Sequence, residues 1–209
     1  MVQEEVRLAR EADLDRVIDT LWLAFGEDPL WHWVFPEHVE LEPWWRLLIG
    51  SAMRHGWVWI LGDFASASVW IPPGRDELTR GEEDGLQGLF DGLLGARAGD
   101  AMKLLERFDA SHPRDTPHYY LSILGTHPAH RGQGLGMSLL AHNLRLIDEE
   151  GMPAYLESTN PANDRRYEGV GFERVGEFST PDGQHTVSTM WRGPGSGVHP
   201  SARAFATPS

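Results

Sequence analysis

The chain has 209 residues, of which 41% are hydrophobic and 23% are charged, a composition typical of globular proteins and unlike that of disordered chains. It carries 18 Lys and Arg against 31 Asp and Glu, and the resulting formal charge of −13 repels phosphate backbones and anionic lipids, so we expect no nucleic-acid or membrane partner. There is no cysteine, which excludes disulfides, a thiolate nucleophile and thiolate metal sites.

The N-terminal segment is acidic and lacks a basic region followed by an apolar run, and the roughly 18 consecutive apolar residues of a membrane-spanning helix do not occur. We therefore expect a cytoplasmic protein with one domain over residues 1–192 and a disordered tail over 193–209. The acidity would also favour a cationic small molecule, although a solvated acidic surface is the simpler explanation.

The first half of the chain shows hydrophobic periods of both strand and helix type. The segment from Asp28 to Pro36 is rich in aromatic residues and bracketed by prolines, which favours a loop. The predicted elements are, in order, a strand at 6–8, an amphipathic helix at 14–25, the loop at 28–36, a helix at 44–55, and a hairpin of strands at 57–61 and 65–71 around Gly62-Asp63.

A glycine-rich segment follows, with glycines at 81, 85, 88, 92, 95 and 99. The alternating spacing of four and three residues would align them on one face of a helix. In helix interiors these glycines would cost about 5 kcal/mol relative to alanines, so such helices need close packing or are only marginally ordered. A mobile cover over a site and a poorly ordered surface segment are both compatible with this pattern.

The second half is more regular and predicts a βαβ unit within a mixed sheet covered by helices. Its predicted elements are a strand at 119–126, a loop to 133, a helix to 150, a strand at 154–158, a short helix around 163–169, and strands near 172–178 and 186–191. We find no internal repeat at solenoid or propeller periods.

The sharpest motif is the loop from His127 to Gly136, which lies between the predicted strand and helix and contains alternating glycines. Glycine permits positive φ and close backbone approach, so consecutive N–H groups at a helix N-terminus can bind one anion, such as a pyrophosphate. No lysine follows the glycines as a P-loop requires, and Met137 stands where the Rossmann fingerprint needs glycine. A glycine-rich turn that merely caps a helix is the alternative.

The remaining pattern, Arg131-x-x-Gly134-x-Gly136, resembles the acetyl-CoA loop of the GNAT N-acetyltransferases. The downstream run LESTNPANDRRYEGVGF, over residues 156–172, resembles the second signature of that family, although many members have an apolar residue where Arg166 stands. The likeness is strong from Tyr119 to Phe172 and thin before it. Within the family, this run and the earlier AF…DP and VWIPP are most similar to puromycin N-acetyltransferase and its actinobacterial relatives.

The resemblance implies an α/β GNAT fold, with a single mixed, twisted β-sheet flanked by helices and splayed central strands. It also implies that acetyl-CoA is the cofactor and that the acetyl group passes directly to a primary amine in a ternary complex. The implied cofactor contacts are Leu124, Gly125, Thr126, Arg131, Gly132, Gln133, Gly134, Leu135, Gly136, Met137, Ser138, Asn160, Asn163 and Tyr167. For the two asparagines, helix N-capping is the alternative role.

The chemistry of acetyl transfer suggests roles for two further side chains. An amine that attacks a thioester creates an oxyanion, which an unpaired backbone N–H near Leu124 could stabilise, and a thiolate, to which Tyr167 could donate a proton. A charged ammonium cannot attack, and Glu157 is the first candidate for the base, with His118 and Ser122 as weaker candidates. The alternatives are that Tyr167 only packs and that Glu157 only binds the cationic substrate or a water.

The sequence indicates least about the acceptor substrate. Eight of the nine tryptophans lie in the N-terminal half, where most should be core and some could line a pocket for an aromatic or cationic amine. The predicted substrate-binding residues are Glu27, Asp28, Trp31, Trp70, Tyr120 and Ser122. His127 and His130 have no third ligand, so we expect no metal site.

The sequence leaves several questions about function open. Puromycin-like antibiotics, polyamines, amino acids and peptide N-termini all present amines, and our expectation is a small antibiotic- or polyamine-like amine. The alternative function is an acyl-CoA-binding sensor or interaction module without transferase activity. The oligomeric state is also open, and a homodimer is compatible with the sequence.

Overall fold

The computed structural model describes residues 5–35 and 41–196, and in this part of the chain seven strands form one mixed sheet. Most of the predicted tail at 193–209, and Pro36 of the predicted loop, lie outside the described residues. The strands are β1 (Val6–Leu8), β2 (Val58–Leu61), β3 (Ser66–Ile71), β4 (Tyr119–Thr126), β5 (Ala154–Ser158), β6 (Glu173–Ser179) and β7 (Thr186–Arg192). Their order across the sheet is β1-β2-β3-β4-β5-β7-β6.

Helices cover both faces of this sheet. They are α1 (Leu14–Phe25), α2 (Pro29–Val34), α3 (Glu42–Met53), α4 (Arg80–Leu94), α5 (Ala98–Ser111), α6 (Leu135–Glu149) and α7 (Asp164–Glu168). Among residues 5–35 and 41–196, no helix combines the length and the apolar character needed to cross a membrane.

The centre of the sheet opens between β4 and β5. These two strands are parallel and pair over only three positions, from Tyr119 opposite Ala154 to Leu121 opposite Leu156. Beyond Leu121, β4 continues against β3 as far as Thr126, whereas β5 continues against β7. The strands therefore diverge, which confirms the predicted splay and leaves backbone groups of β4 without a β5 partner.

Two hydrophobic clusters hold the helices to the sheet. The larger cluster packs α1, α3, α4 and α5 on one face, with Trp45 and Ile49 almost fully buried. On the other face, α6 buries its inner side against the strands, as its sequence period predicts, through Leu139, Leu140, Leu144 and Ile147. Burying each such side chain stabilises the fold by about 1.5–3 kcal/mol relative to exposure.

The prediction of a loop at 28–36 is wrong for most of this segment, because Pro29–Val34 forms α2. The Asp28 carboxylate accepts hydrogen bonds from the backbone N–H groups of Leu30 and Trp31, at 3.0 and 3.2 Å. Pro29 occupies the first turn, where its missing N–H costs nothing and its φ already suits a helix. Proline therefore begins a helix here.

The glycine-rich segment forms α4 and the start of α5, separated by Gly95 in the left-handed region at φ 55°. Apart from the backbone of the helix itself, no atom lies within 4 Å of a Cβ placed on the glycines at 81, 85, 88, 92 and 99. Of the alternatives that the sequence leaves open, close packing of these glycines is therefore not what the structure shows. Leu86 and Phe90 are the buried side chains of α4 and pack it against the core. The Thr79 and Glu82 side chains cap its N-terminus.

Candidate active site

A groove lies beside the end of β4, the glycine loop and the end of α1. Among the predicted cofactor contacts, Gln133 and Ser138 are exposed outside it, and Asn160 lines the cavity next to it. The others do line the groove: Leu124, Gly125, Thr126, Arg131, Gly132, Gly134, Leu135, Gly136, Met137, Asn163 and Tyr167. The structure thus places the glycine loop beside Asn163 and Tyr167, although α6 and β5 lie between them in the sequence.

The glycine loop presents the start of α6 to this groove. Gly132 and Gly134 have φ of 79° and 77°, a backbone conformation that disfavours other residues. No side chain caps α6, and the first N–H groups of a helix have no partner within the helix. The N-terminus of this 15-residue helix is therefore suited to an anion such as a pyrophosphate.

Two other glycines allow the walls of the groove to approach each other. A Cβ on Gly125 would lie 2.7 Å from Leu21 Cδ2 and 2.8 Å from Ala24 Cβ, both on α1. A Cβ on Gly136 would lie 2.7 Å from Thr126 Oγ1. Glycine at these positions thus sets the distances from β4 to α1 and to α6.

Arg131 holds the glycine loop against α1. Its guanidinium pairs with the Glu27 carboxylate and donates a hydrogen bond to the Ala24 carbonyl oxygen at 2.8 Å. Glu27 lines the groove and is absent from the lining of the neighbouring cavity. Its carboxylate is therefore placed on the predicted cofactor side and away from the predicted acceptor.

Past Tyr167 and Leu124 the groove meets a cavity of about 150 Å³ at the opening between β4 and β5. No Lys, Arg or His belongs to its described lining. Its aromatic walls are Phe25, Trp31, Trp44, Phe108 and Tyr120, and its carboxyl groups are Asp28, Glu77 and Glu157. Aromatic faces and carboxylates together favour a cation with an apolar body.

Tyr167 lies where groove and cavity meet. Burial, with a further contribution from the negative charges of Asp164 and Asp28, raises the pKa of its hydroxyl to about 12. The ring packs edge-on against Phe172 at 6.2 Å between centroids. A phenol in this state stays protonated at neutral pH and is available as a proton donor.

Glu157 is the most unusual polar side chain of the cavity. It is only 2% exposed, and neither carboxylate oxygen has a hydrogen-bond partner within 3.5 Å, although the hydroxyls of Tyr120 and Tyr155 lie close enough to interact with the carboxylate. The nearest basic atom is His112 Nδ1, at 3.8 Å from Glu157 Oε1. An unpaired buried carboxylate is unfavourable in free energy, so binding of a cation or a proton would stabilise Glu157.

Glu77 is a cavity residue that the sequence analysis missed, since it lies in the irregular segment between β3 and α4. Burial raises the pKa of its carboxyl to about 7, with the nearby charge of Glu157 acting in the same direction. Ser122, predicted to bind substrate, donates its hydroxyl to Glu77. Tyr120 also lines the cavity, and burial raises the pKa of its hydroxyl well above the ordinary value.

Two of the predicted substrate-binding residues have structural partners. Asp28 lines the cavity, but it caps α2 and accepts the Thr159 hydroxyl at 2.9 Å. Trp70 is fully buried on the α6 face, where its indole N–H donates to Asn143 Oδ1 at 3.0 Å. The structure therefore places Trp70 in the core on the α6 face and not in the cavity. A period of two does not tell which face of a fully buried strand meets a ligand.

A second opening adjoins the cavity on the side of α5. It shares Glu77, Leu105, Phe108, Tyr120 and Glu157 with the cavity. The groove instead shares the set Phe25, Asp28, Leu124, Asn163 and Tyr167. Since these sets have no member in common, the cavity joins two separate approaches, one past Tyr167 and one past Glu157.

The other histidines considered from the sequence lie outside the cavity. His118 lines the second opening, and His130 lines the groove. Within the part of the chain that the structure describes, no group of three His, Asp or Glu side chains is placed to hold a metal ion.

Comparison with known proteins agrees with this geometry. Residues 96–172 match the family model described as the acetyltransferase (GNAT) family. An uncharacterised N-acetyltransferase of Schizosaccharomyces pombe is 28% identical over 176 residues, which cover 77% of this chain and 70% of the relative. Both likenesses are to N-acetyltransferases, and the matched segment contains the glycine loop, Glu157 and Tyr167.

Solved structures establish the fold. Histone acetyltransferase HPA2 and related acetyltransferase from Corynebacterium glutamicum has a TM-score of 0.67 at 21% identity, over 92% of this chain and 97% of its own. A Drosophila melanogaster polyamine N-acetyltransferase that forms N-acetylagmatine has a TM-score of 0.68 at 17% identity, over 90% of this chain and 99% of its own. The predicted α/β GNAT fold is confirmed.

Proposed function

We propose that this chain is an acetyl-CoA-dependent N-acetyltransferase that transfers the acetyl group directly to the primary amine of a cationic small molecule. The observation that supports this most is the junction of two approaches at one cavity, with Tyr167 at the first approach and Glu157 at the second. Direct transfer suits a chain without cysteine, in which no thiol is available to carry an acyl group.

The groove fits the cofactor on its own chemistry. The uncapped start of α6 and the left-handed Gly132 and Gly134 suit a pyrophosphate, and Arg131 supplies a cation beside them. When bound, acetyl-CoA supplies the acetyl thioester. Backbone groups of β4 beyond Leu121, which have no partner on β5, then lie available to the pantetheine arm and to the carbonyl oxygen.

Two side chains would move the protons. Glu157 takes a proton from the incoming ammonium, because an unpaired buried carboxylate gains most from that cation and its proton. Tyr167 gives a proton to the leaving sulfur, since burial keeps its hydroxyl protonated. The nitrogen releases a second proton when the amide forms, and this proton restores the Tyr167 hydroxyl.

The lining of the cavity favours an amine with an aromatic or apolar body. Aromatic rings line the cavity, and among its described lining residues the ionisable groups other than tyrosine are all acidic. The apolar body of such an amine can therefore contact the rings, and its charge can pair with a carboxylate. A puromycin-like amine agrees with the likeness of the 156–172 run, and a polyamine-like amine agrees with the agmatine chemistry of the Drosophila structure. Both classes belong to this proposal.

The proposal is tested by titration calorimetry with acetyl-CoA and by thiol release over an amine panel. The panel contains puromycin, agmatine, spermidine, amino acids and a peptide with a free N-terminus. Binding together with thiol release on a cationic amine is expected. Binding without release on any amine would favour the acyl-CoA-binding module, and absence of acetyl-CoA binding would overturn both readings.

The Tyr167→Phe variant tests the proton donor. Loss of the hydroxyl should lower kcat by about 10²–10⁴-fold while acetyl-CoA affinity stays nearly unchanged. Tyr119→Phe is the matched control, because it removes a hydroxyl that donates to Glu150 at 2.8 Å outside the cavity. Equal kcat in the two variants would show that Tyr167 only packs.

A further inference from the structure

Two histidines lie directly behind Glu157, on the side away from Tyr167. His112 follows the last residue of α5, and His118 precedes β4. Their rings lie 5.0 Å apart between centroids, and their Nε2 atoms are 3.2 Å apart. Both rings line the second opening, and the function proposed above assigns neither of them a role.

The partners of these rings fix which nitrogen carries a proton. His118 Nδ1 lies 2.7 Å from the Thr116 carbonyl oxygen, which can only accept, so Nδ1 must be the donor. Burial lowers the pKa of His118 and keeps its ring neutral, which leaves Nε2 as an acceptor. His112 Nε2 therefore donates to His118 Nε2.

This arrangement aims the other nitrogen of His112 at Glu157. A neutral His112 that donates through Nε2 has a lone pair on Nδ1, and Nδ1 lies 3.8 Å from Glu157 Oε1. A lone pair facing a carboxylate is repulsive, so a proton on either Nδ1 or the carboxyl group relieves the contact. The position between Glu157 and His112 is thus a proton site.

We propose that His112 is the proton exit of Glu157 and that His118 holds His112 in the tautomer this role needs. The carboxylate of Glu157 is 2% exposed, whereas the His112 side chain is 23% exposed in the second opening. A proton that reaches Nδ1 therefore has a route to solvent that Glu157 lacks. Both histidines are positioning residues, since they act through Glu157.

The proton count rests on the proposed acetyl transfer. The ammonium R–NH₃⁺ gives one proton to the Glu157 carboxylate, which passes it to His112 Nδ1 and then to solvent. The amine then forms the C–N bond as the C–S bond breaks, and its second proton ends on the thiol through Tyr167. One proton is released for each acetyl group transferred, which balances the conversion of a cation into a neutral amide.

The other groups that face His112 do not replace it in this role. Tyr120 from β4 and Tyr155 from β5 meet the His112 ring edge-on, at 4.8 and 5.2 Å between centroids. Burial, followed by the charge of Glu157, raises the pKa of both hydroxyls, so they stay protonated. Glu77 also lies near His112, and its carboxyl group accepts the hydroxyl of Ser122.

The test compares His112→Phe with the wild-type protein through the pH dependence of kcat/KM for the amine. Phenylalanine keeps the ring packing against Tyr120 and Tyr155 but removes the Nδ1 acceptor, so a proton on the Glu157 carboxyl group can leave only to solvent base, which is scarcest at low pH. We expect at least a tenfold loss of kcat/KM at pH 7, with the acid limb of the profile moved upward by about one pH unit or more. In His118→Phe the acid limb should move in the same direction but by a smaller amount.

Melting temperature and acetyl-CoA affinity serve as controls, and neither should change much in His112→Phe. A uniform loss of activity at every pH would overturn the proton-exit role, and so would an unchanged profile. Long-range ¹H–¹⁵N spectra of the wild-type chain test the tautomers without any turnover. A neutral His112 protonated at Nδ1 overturns the arrangement, whereas absence of thiol release with every amine would overturn the proposed function and leave the tautomers as found.

Discussion

Gly125→Ala tests how the structure sets the distance between α1 and the end of β4. The added Cβ would lie 2.7 Å from Leu21 Cδ2 and 2.8 Å from Ala24 Cβ, about 1 Å inside the ordinary separation of carbon atoms. Leu21 is fully buried and cannot swing aside. Overpacking of this kind costs about 1–3 kcal/mol in the free energy of unfolding.

The assay is thermal unfolding combined with acetyl-CoA titration. A loss of about 1–3 kcal/mol lowers the melting temperature by roughly 2–4 °C per kcal/mol in a domain of this size. Acetyl-CoA affinity should fall with it, because Ala24 and Phe25 of α1 wall the groove. Gly88→Ala is the matched control: nothing outside its helix lies within 4 Å of the added atom, so it should stabilise the protein by about 0.5–1 kcal/mol.

One result would refute this reasoning directly. If Gly125→Ala melts like the wild-type protein but binds acetyl-CoA more weakly, the glycine is needed for ligand approach and not for the packing of α1. If both quantities stay unchanged, α1 does not contact β4 as closely as the distances to Leu21 and Ala24 require.

Three further predictions concern charge. Glu27→Gln frees Arg131 from an exposed pair worth no more than about 1 kcal/mol, so calorimetry at low salt should show acetyl-CoA affinity up to fivefold tighter; weaker binding would mean that Glu27 positions Arg131. Because burial raises the pKa of Glu77 from 4.5 to about 7, its contribution to stability is present below pH 4.5 and is lost as pH rises through 7. As the pH rises from 4.5 to 7, the melting temperature of Glu77→Gln should therefore rise relative to that of the wild-type protein. A difference in melting temperature that stays constant over this range would contradict the prediction. Asp148→Asn leaves the Arg192 guanidinium, 1% exposed, without its carboxylate, and should cost about 3–5 kcal/mol in urea unfolding; a loss below about 1 kcal/mol would contradict it.

The segment from β4 to β5 could be predicted from sequence because its signals are local. A strand, an alternating glycine loop and an amphipathic helix each occupy consecutive residues, and the predicted bounds at 119–126 and 154–158 are those of the structure. The start of α2 is also local, since Asp28 and Pro29 are a helix-starting pair, but the aromatic residues after them concealed it.

The acceptor side could not be predicted in the same way. Glu77 lies in irregular backbone, and His112 lies at the end of a helix that follows a glycine-rich stretch. Nothing in their local sequence indicates that both approach Glu157, because the contacts that place them, His112 with Tyr120 and Tyr155 and Glu77 with Ser122, join residues distant in sequence. Trp70 shows the converse case, in which an aromatic residue near the site in sequence faces the other side of the sheet.

The three carboxyl groups of the cavity differ in what already holds them, and this difference indicates where an ammonium would bind. Asp28 is committed to the backbone of α2 and to Thr159, and Glu77 accepts the hydroxyl of Ser122. Glu157 has no hydrogen-bond partner on either oxygen. An incoming ammonium that displaced the partners of the first two would have to compensate for lost hydrogen bonds, whereas at Glu157 it meets an unpaired charge. In the proposed reaction the amine would therefore bind at Glu157, the carboxylate that borders the second opening.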